Sequence, residues 1–216
     1  EDMTRQEQPS IITDLTPVFP VAAYKLILLP TEPQCPPLDC LQLASELQAI
    51  QLIGEPVAVD NGVFYPTGKH FLQHISFLGC SPAIELEPPY DPAGLSADSA
   101  AGKFCHVFLH SSTSLCLRAD QQCPPPRCPK CRQPCNDWRA TFSRGQQNPA
   151  RTDWNCSGCG FSGQLTDLCF RKAAGIGHTF IEIRGIYPSE AVPTDALLNR
   201  LQRLSGGPWR TIYIRE

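Results

Sequence analysis

The chain of 216 residues has no long uninterrupted apolar run. The apolar stretch at residues 18–29 is broken by Pro20 and Lys25, so it matches neither a secretion signal nor a membrane-spanning helix. Nucleotide-binding glycine motifs are missing too, because residues 175–177 lack the six-position dinucleotide pattern and the phosphate-loop lysine. We therefore expect a cytoplasmic protein without a membrane segment, and a simple turn at residues 175–177.

Charged residues are sparse, at 18%, whereas hydrophobic residues make up 42% of the chain, enough for a sizeable core. The 22 prolines and 15 glycines predict many loops. The charges are unevenly divided: residues 1–116 carry four Lys and Arg against thirteen Asp and Glu, and residues 117–216 carry fourteen against eight. This division can steer an anionic partner to the basic half, or it can attract the two halves to each other.

Twelve cysteines are too many to arise by chance. Without a secretion signal, they indicate a reducing compartment in which thiols are kept for metal. Two Cys-x-x-Cys pairs, Cys128 with Cys131 and Cys156 with Cys159, are separated by 24 residues. Each pair predicts a tight knuckle that points two thiolates at one ion, and two knuckles supply the four sulfur ligands that Zn²⁺ binds tetrahedrally. The pattern predicts one structural zinc ion.

The segment between the two pairs alternates apolar and polar side chains. The alternating residues are Trp138, Arg139, Ala140, Thr141, Phe142 and Ser143. Such alternation predicts a strand, and a turn beginning at Arg144 and Gly145 would complete a hairpin that brings the knuckles together. A module of this size, with few large apolar side chains, is expected to unfold without its metal.

Residues 128–161 resemble the zinc-ribbon superfamily with rubredoxin-type knuckles. Zinc ribbons typically carry a glycine after the second cysteine of a knuckle; Gly160 matches this pattern, whereas Arg132 takes that place in the first knuckle. The resemblance implies a metal and a shape. It does not imply one activity, since zinc ribbons serve in nucleic-acid binding, in protein contact and in the support of enzyme lids.

Four further cysteines flank the two pairs. They are Cys116, Cys123, Cys135 and Cys169. These four are candidates for a second metal site, or they are small buried hydrophobic residues. Because Cys123, Cys128 and Cys131 have the spacing of plant-type ferredoxins, an iron–sulfur cluster is an alternative cofactor, and it would indicate a redox or metal-handling accessory protein. It would leave the second pair partly unused, so zinc is favoured.

Basic residues are interleaved with the aromatic side chains of this segment. The predicted partner contacts are Arg139, Arg144, Arg151, Lys130 and Arg132. Arginine beside aromatic rings suits phosphate contacts and base stacking, and it also suits an acidic protein surface. The alternative is that the aromatic rings form the small core of the module and the arginines are merely solvated. The sequence thus favours a non-catalytic accessory protein with a basic ribbon that contacts nucleic acid or an acidic protein.

Catalytic constellations are weak. Cys80, with His70 and His74 nearby in sequence, is a minor candidate for a nucleophilic enzyme, although a structural cysteine is favoured there. His106 and His110 share a face of a predicted strand, too far apart for easy chelation, so we interpret them as satisfied or exposed side chains. The sequence therefore predicts no catalytic residue.

Periodicity predicts an α+β fold. The predicted strands cover residues 22–29, 57–65 with a turn at 60–62, 74–78, 83–86, 104–109, 179–186 and 211–214, and the predicted helices cover 38–50 and 194–206. In the strand at 179–186, Ile181 and Ile183 are predicted on one face and Glu182 and Arg184 on the other. Thr194 and Gly206 are the predicted caps of the second helix, which carries leucines at helical spacing. The order β-α-β-β followed by β-β-α-β suggests a ferredoxin-like split-βαβ sandwich with an inserted zinc ribbon. The expected organisation is a mobile arm at 1–20, an α+β body at 21–115 and 176–216, and an inserted module at 116–175.

Overall fold

The computed structural model describes residues 24–59, 62–78, 84–87, 104–144, 153–186 and 190–215. The strands are β1 (Tyr24–Pro30), β2 (Val57–Val59), β3 (Gly62–Pro66), β4 (Ile75–Phe77), β5 (His106–Ala119), β6 (Asp153–Asn155), β7 (Ser162–Gln164), β8 (Ala174–Ile186), β9 (Ala191–Pro193) and β10 (Trp209–Arg215). The helices are α1 (Cys40–Ala49), α2 (Phe71–His74), α3 (Trp138–Arg144) and α4 (Asp195–Ser205). Among these helices, none is long and apolar enough to cross a membrane.

Six strands form one antiparallel sheet in the order β10-β1-β8-β5-β3-β2. Because β8 pairs antiparallel with both β1 and β5, the strands β1 and β5 run in the same direction on either side of it. Two small ribbons, β4 with β9 and β6 with β7, lie outside this sheet. The mixed α+β architecture is confirmed, whereas the ferredoxin-like arrangement stays a prediction.

Helices α1 and α4 cover one face of the sheet and begin where the sequence indicates. The Asp39 carboxylate caps α1 by accepting from the N–H groups of Leu41 and Gln42, and the Thr194 hydroxyl caps α4. Gly206 ends α4 with a φ of 78°, in the left-handed region that favours glycine. Leucines at helical spacing on both helices are buried with Leu26, Leu28, Ile181 and Ile183 of the sheet. The two predicted helices are confirmed.

The alternation predicted for 179–186 is also confirmed, because Ile181 and Ile183 lie in the core under the helices while Glu182 faces the opposite side. Glu182 is 4% exposed. Its carboxylate contacts Arg118 Nε at 2.7 Å, Arg184 Nη2 at 2.9 Å and Lys25 Nζ at 3.7 Å. Burial alone would raise the pKa of this carboxyl, but the Arg118 and Lys25 charges outweigh it and lower the pKa to about 2.

Other predictions are corrected. Residues 84–87 form no strand, although the carbonyls of Glu85 and Leu86 still accept hydrogen bonds from Cys105 N and Thr67 Oγ1. The strand predicted at 104–109 continues to Ala119, so Cys116 belongs to the sheet. The turn expected at 175–177 is wrong, because these residues belong to β8 and pair with β5. A short helix, α2, precedes β4 where a strand was predicted to begin. The predicted arm and Cys80 lie outside the described residues.

Candidate metal centre

The sulfur atoms of Cys128, Cys131, Cys156 and Cys159 all lie within 4.8 Å of one another. Cys128 Sγ is 3.8 Å from Cys159 Sγ, and Cys131 Sγ is 3.5 Å from Cys156 Sγ. A tetrahedron with metal–sulfur bonds of about 2.3 Å has edges of about 3.8 Å, whereas a disulfide would need about 2.05 Å. The four thiols are therefore unbonded and spaced to hold one ion.

The two knuckles repeat the same backbone geometry. In the first, Arg132 N donates to Cys128 O at 3.0 Å and Cys128 N donates to Gln133 O at 2.9 Å. In the second, Gly160 N donates to Cys156 O and Cys156 N donates to Phe161 O, at 2.9 and 2.8 Å. Arg132 has a φ of 64° and Gly160 a φ of 69°. Arg132 thus departs from the glycine pattern in side chain but not in conformation.

The knuckle backbone also sets the chemistry of the sulfurs. The N–H groups of Cys159 and Gly158 lower the pKa of Cys156 to about 7. For Cys131, the Gln133 N–H lowers the pKa, but burial and the neighbouring sulfurs outweigh it and raise the pKa to about 12. Crowded sulfurs compete for protons, and a bound cation replaces those protons while removing the repulsion between thiolates. The donor set fits a metal ion.

Short pairings hold each knuckle in place. The first is flanked by Arg127, whose backbone exchanges hydrogen bonds with Cys169 at 3.1 and 2.9 Å. The Arg127 guanidinium donates to the Arg132 carbonyl at 2.9 Å, which ties down the left-handed residue. The second knuckle connects β6 and β7, where Trp154 Nε1 donates to Gln164 O at 2.9 Å. These contacts orient the thiols towards one point.

The predicted hairpin strand at Trp138 is wrong, because residues Trp138–Arg144 form α3. Trp138 and Thr141 are buried and Phe142 is half-buried, while Arg139 and Ala140 are exposed. This burial follows the helical period of 3.6 rather than the strand period of two. Six alternating residues are compatible with both periods, so the helix was not distinguishable from sequence.

The four flanking cysteines occupy separate places. Cys116 lies on β5, and its sulfur is 3.6 Å from His110 Nε2. The sulfurs of Cys123 and Cys135 donate to the carbonyls of Pro124 and Gln133, at 3.4 and 3.9 Å. Cys169 is exposed. Within the described ranges, the four cysteines of the two Cys-x-x-Cys pairs form a tetrad, which is the one group of three or more metal-ligating side chains. The flanking cysteines are therefore not brought together in this structure, and the ferredoxin-spaced Cys123 is not part of the tetrad.

The residues predicted to contact a partner differ in the intramolecular contacts that they make. Lys130 and Arg132 are exposed on the first knuckle. Arg139 is exposed, but its Nη2 donates to the carbonyls of Asp120 and Gln121 at 2.9 and 3.2 Å and its guanidinium lies 4.5 Å from the Trp138 ring centre. The Arg144 side chain and Arg151 lie outside the described residues. Arg139 thus fastens α3 to the end of β5, a role that sequence alone did not reveal.

The aromatic side chains of the module form its core. Trp138 is 3% exposed and Trp154 is 8% exposed. The Trp138 ring packs edge-on against Phe170, with centroids 5.2 Å apart, and Trp154 packs against Phe161 at 6.2 Å. The two indole rings therefore pack against other side chains of the module, as expected if the aromatic residues form its small core.

Two of the histidines considered in the sequence lie close to backbone carbonyls. His74 Nε2 lies 3.1 Å from Ile50 O, and His106 is buried with its Nδ1 2.9 Å from Phe104 O, so both have structural partners. Comparisons with protein-family models, curated proteins and solved structures find no significant match to this chain. What the protein does has to be argued from its own geometry.

Proposed function

We propose that this protein is a non-catalytic accessory protein whose zinc-bound module presents cations to an acidic surface of a partner protein. The observation that carries this proposal is the tetrahedral spacing of the four sulfurs of the tetrad. Four cysteines complete the coordination of zinc and leave no position for a substrate or a reacting water. The ion would therefore stabilise the module and fix its surface.

Zinc is preferred over an iron–sulfur cluster because of the way the sulfurs are grouped. All four ligands close around one point and use both Cys-x-x-Cys pairs, whereas the ferredoxin spacing would require Cys123, which does not join the group. A single closed-shell ion matches this mononuclear arrangement.

The proposed contact surface is centred on Lys130 and Arg132, two exposed cations of the first knuckle. They flank Cys131, so metal binding would fix the backbone from which they project. The proposed surface extends to Arg139, Arg144 and Arg151. Exposed cations of this kind contribute mainly to the association rate and its salt dependence.

An acidic protein is favoured over single-stranded nucleic acid because the indole rings are unavailable for stacking on bases. Trp138 and Trp154 are buried among other side chains of the module. Single-stranded nucleic acid would lose the stacking contribution that such sites normally draw on. A carboxylate-rich surface needs only the cations.

The body that carries this module is proposed to be ferredoxin-like. The order β10-β1-β8-β5, with α1 between β1 and β5 in the chain and α4 between β8 and β10, supports it. Both helices pack on the same face, and β2 and β3 extend the sheet beyond β5. The segment that carries the tetrad connects β5 to β8, which leaves the sheet order undisturbed.

The proposal is tested with the double variant Lys130→Gln/Arg132→Gly, in which glycine keeps the left-handed conformation of the knuckle. Fluorescence anisotropy with a labelled polyglutamate peptide is expected to show binding about fivefold to tenfold weaker at low salt, with a smaller salt dependence. The matched control Arg171→Gln/Lys172→Gln removes the same charge from another exposed pair. Equal losses in both variants, or tighter binding of a single-stranded oligonucleotide than of polyglutamate, would contradict the proposal.

A further inference from the structure

Strand β5 contains a wide bulge opposite a single residue of β8. Ser111 pairs with Thr179 and Cys116 pairs with Gly177, so the four residues 112–115 face only His178. His178 Nδ1 lies 2.9 Å from Ser112 O and fixes the bulge. Bulges re-aim side chains and are frequent beside functional sites.

The bulge brings two residues of one strand together. His110 and Cys116 are six positions apart, which in a regular strand is about 20 Å. Here Cys116 Sγ lies 3.6 Å from His110 Nε2, within hydrogen-bonding distance for sulfur. The thiol also lies 3.5 Å from Ser114 O, a second acceptor for its proton. A nucleophile and a base in contact are the minimal arrangement for an activated thiol.

An aromatic ring and charged groups lie around the pair. The Arg118 guanidinium lies 4.9 Å from the centre of the Phe180 ring, and His110 packs on the same ring with centroids 6.0 Å apart. Burial lowers the pKa of His110, the Arg118 charge lowers it further, and Glu182 opposes both. The net lowering favours the neutral imidazole, the form in which a ring nitrogen can accept a proton.

The pair is also within reach of solvent. Cys116 and His110 are partly exposed, and the bulge residues Thr113 and Ser114 are exposed. Cys105, by contrast, is fully buried in the core, where burial raises its pKa to about 12. Of these two cysteines, only Cys116 combines a base with access.

We infer that Cys116 and His110 form a reactive thiol–imidazole pair that exchanges with small carboxylate-bearing disulfides. The thiol proton passes to His110 Nε2, and the sulfur attacks one sulfur of the disulfide. The disulfide bond breaks, Cys116 forms a mixed disulfide, and the leaving thiolate takes the proton from the imidazolium. The small disulfide is the oxidant, and one free small thiol is released per reaction. Arg118 is paired with Glu182, but this cluster holds three cations, Lys25, Arg118 and Arg184, against one carboxylate, and its net positive charge favours a carboxylate-bearing reagent.

The metal-loaded full chain is reacted with the dianionic disulfide dithiobis-nitrobenzoate, and modified cysteines are assigned by mass spectrometry. Cys116 is expected to react about tenfold faster than Cys169, which is more exposed but has no histidine partner among the described residues. His110→Gln is expected to slow Cys116 by about tenfold and leave Cys169 unchanged. Equal rates at the two cysteines, or a His110→Gln rate at or above that of the parent, would overturn the pair.

A second, uncharged reagent tests whether the positive charge near the pair contributes to the reaction. Neutral dithiodipyridine is expected to discriminate less between Cys116 and Cys169, because it does not use the Arg118 charge. Arg118 on β5 and Glu182 on β8 are charged groups that act on His110. Equal discrimination by the neutral and the dianionic reagent would contradict the preference for carboxylate-bearing disulfides.

Discussion

The sheet with its two helices and the metal module are stabilised by different means. Among the described residues, the main core of the body contains nineteen buried side chains, nearly all aliphatic or aromatic. The module core contains eight, three of them cysteines, and two of those cysteines are proposed ligands. We therefore propose that apolar burial is sufficient to order the body, whereas the module has too little of it to fold alone. On this proposal, one chain combines a self-sufficient core with a segment that depends on an ion.

Metal removal is expected to have the largest effect and to separate the two regions. Structural zinc contributes on the order of 10–16 kcal/mol in small modules, so a chelator should unfold the module while the sheet stays folded. In a Trp209→Phe variant the remaining tryptophans, Trp138 and Trp154, both lie in the module core. Their emission should shift to the red on chelation, while hydrogen exchange of β1 and β8 stays slow.

A matched Trp138→Phe/Trp154→Phe variant retains Trp209 in the body core as the reporter. Its emission should be unchanged by the chelator. A shift of Trp209 of equal size would show that the body also depends on the ion, and the distinction between the two regions would be lost.

Acid is expected to act on the body through Glu182. Its pKa in the folded protein, about 2, lies below the value of about 4.3 for an unfolded glutamate. The stabilisation is therefore complete above about pH 4.3 and is lost as the pH falls towards 2, a contribution on the order of 3 kcal/mol. Urea unfolding of the body, followed by circular dichroism between pH 7 and 2, measures it.

Glu182→Gln should lower the free energy of unfolding by about 3–5 kcal/mol at neutral pH and flatten its acid dependence, because three cations lose their buried counter-ion. Metal content should remain that of the parent. An unchanged acid dependence would contradict the assignment of this carboxylate as the charged centre of the sheet.

The smallest expected effect comes from substitutions at the left-handed position of each knuckle. Arg132 occupies the left-handed region that Gly160 occupies in the second knuckle. Arg132→Gly should stabilise the metal-bound module by about 1 kcal/mol, and Gly160→Ala should destabilise it by a similar amount. Chelator competition measures both. Destabilisation by Arg132→Gly would mean that the arginine side chain contributes more than its backbone strain costs.

Local rules were sufficient where one element carries its own signals. The caps at Thr194 and Gly206 and the leucine spacing of α4 located that helix, and the spacing of the paired cysteines predicted the tetrad. Neither requires knowledge of strand pairing. The signals for these features lie within a few residues of the chain.

Features that depend on pairing were missed. The Ser-rich bulge of β5 concealed a strand of fourteen residues, and with it the contact between Cys116 and His110. Glu182 was assigned to a face but not to a buried ion-pair cluster, because its partners Lys25 and Arg118 come from two other strands. Register decides such contacts, and a single sequence does not reveal register.

The most direct test is the metal content of the purified chain, measured by elemental analysis alongside its visible spectrum. One zinc per chain is expected, in a colourless protein, with loss of the zinc in Cys156→Ser. A metal-free chain whose Trp138 and Trp154 remain buried would contradict the account, and a coloured chain containing iron would contradict the choice of metal.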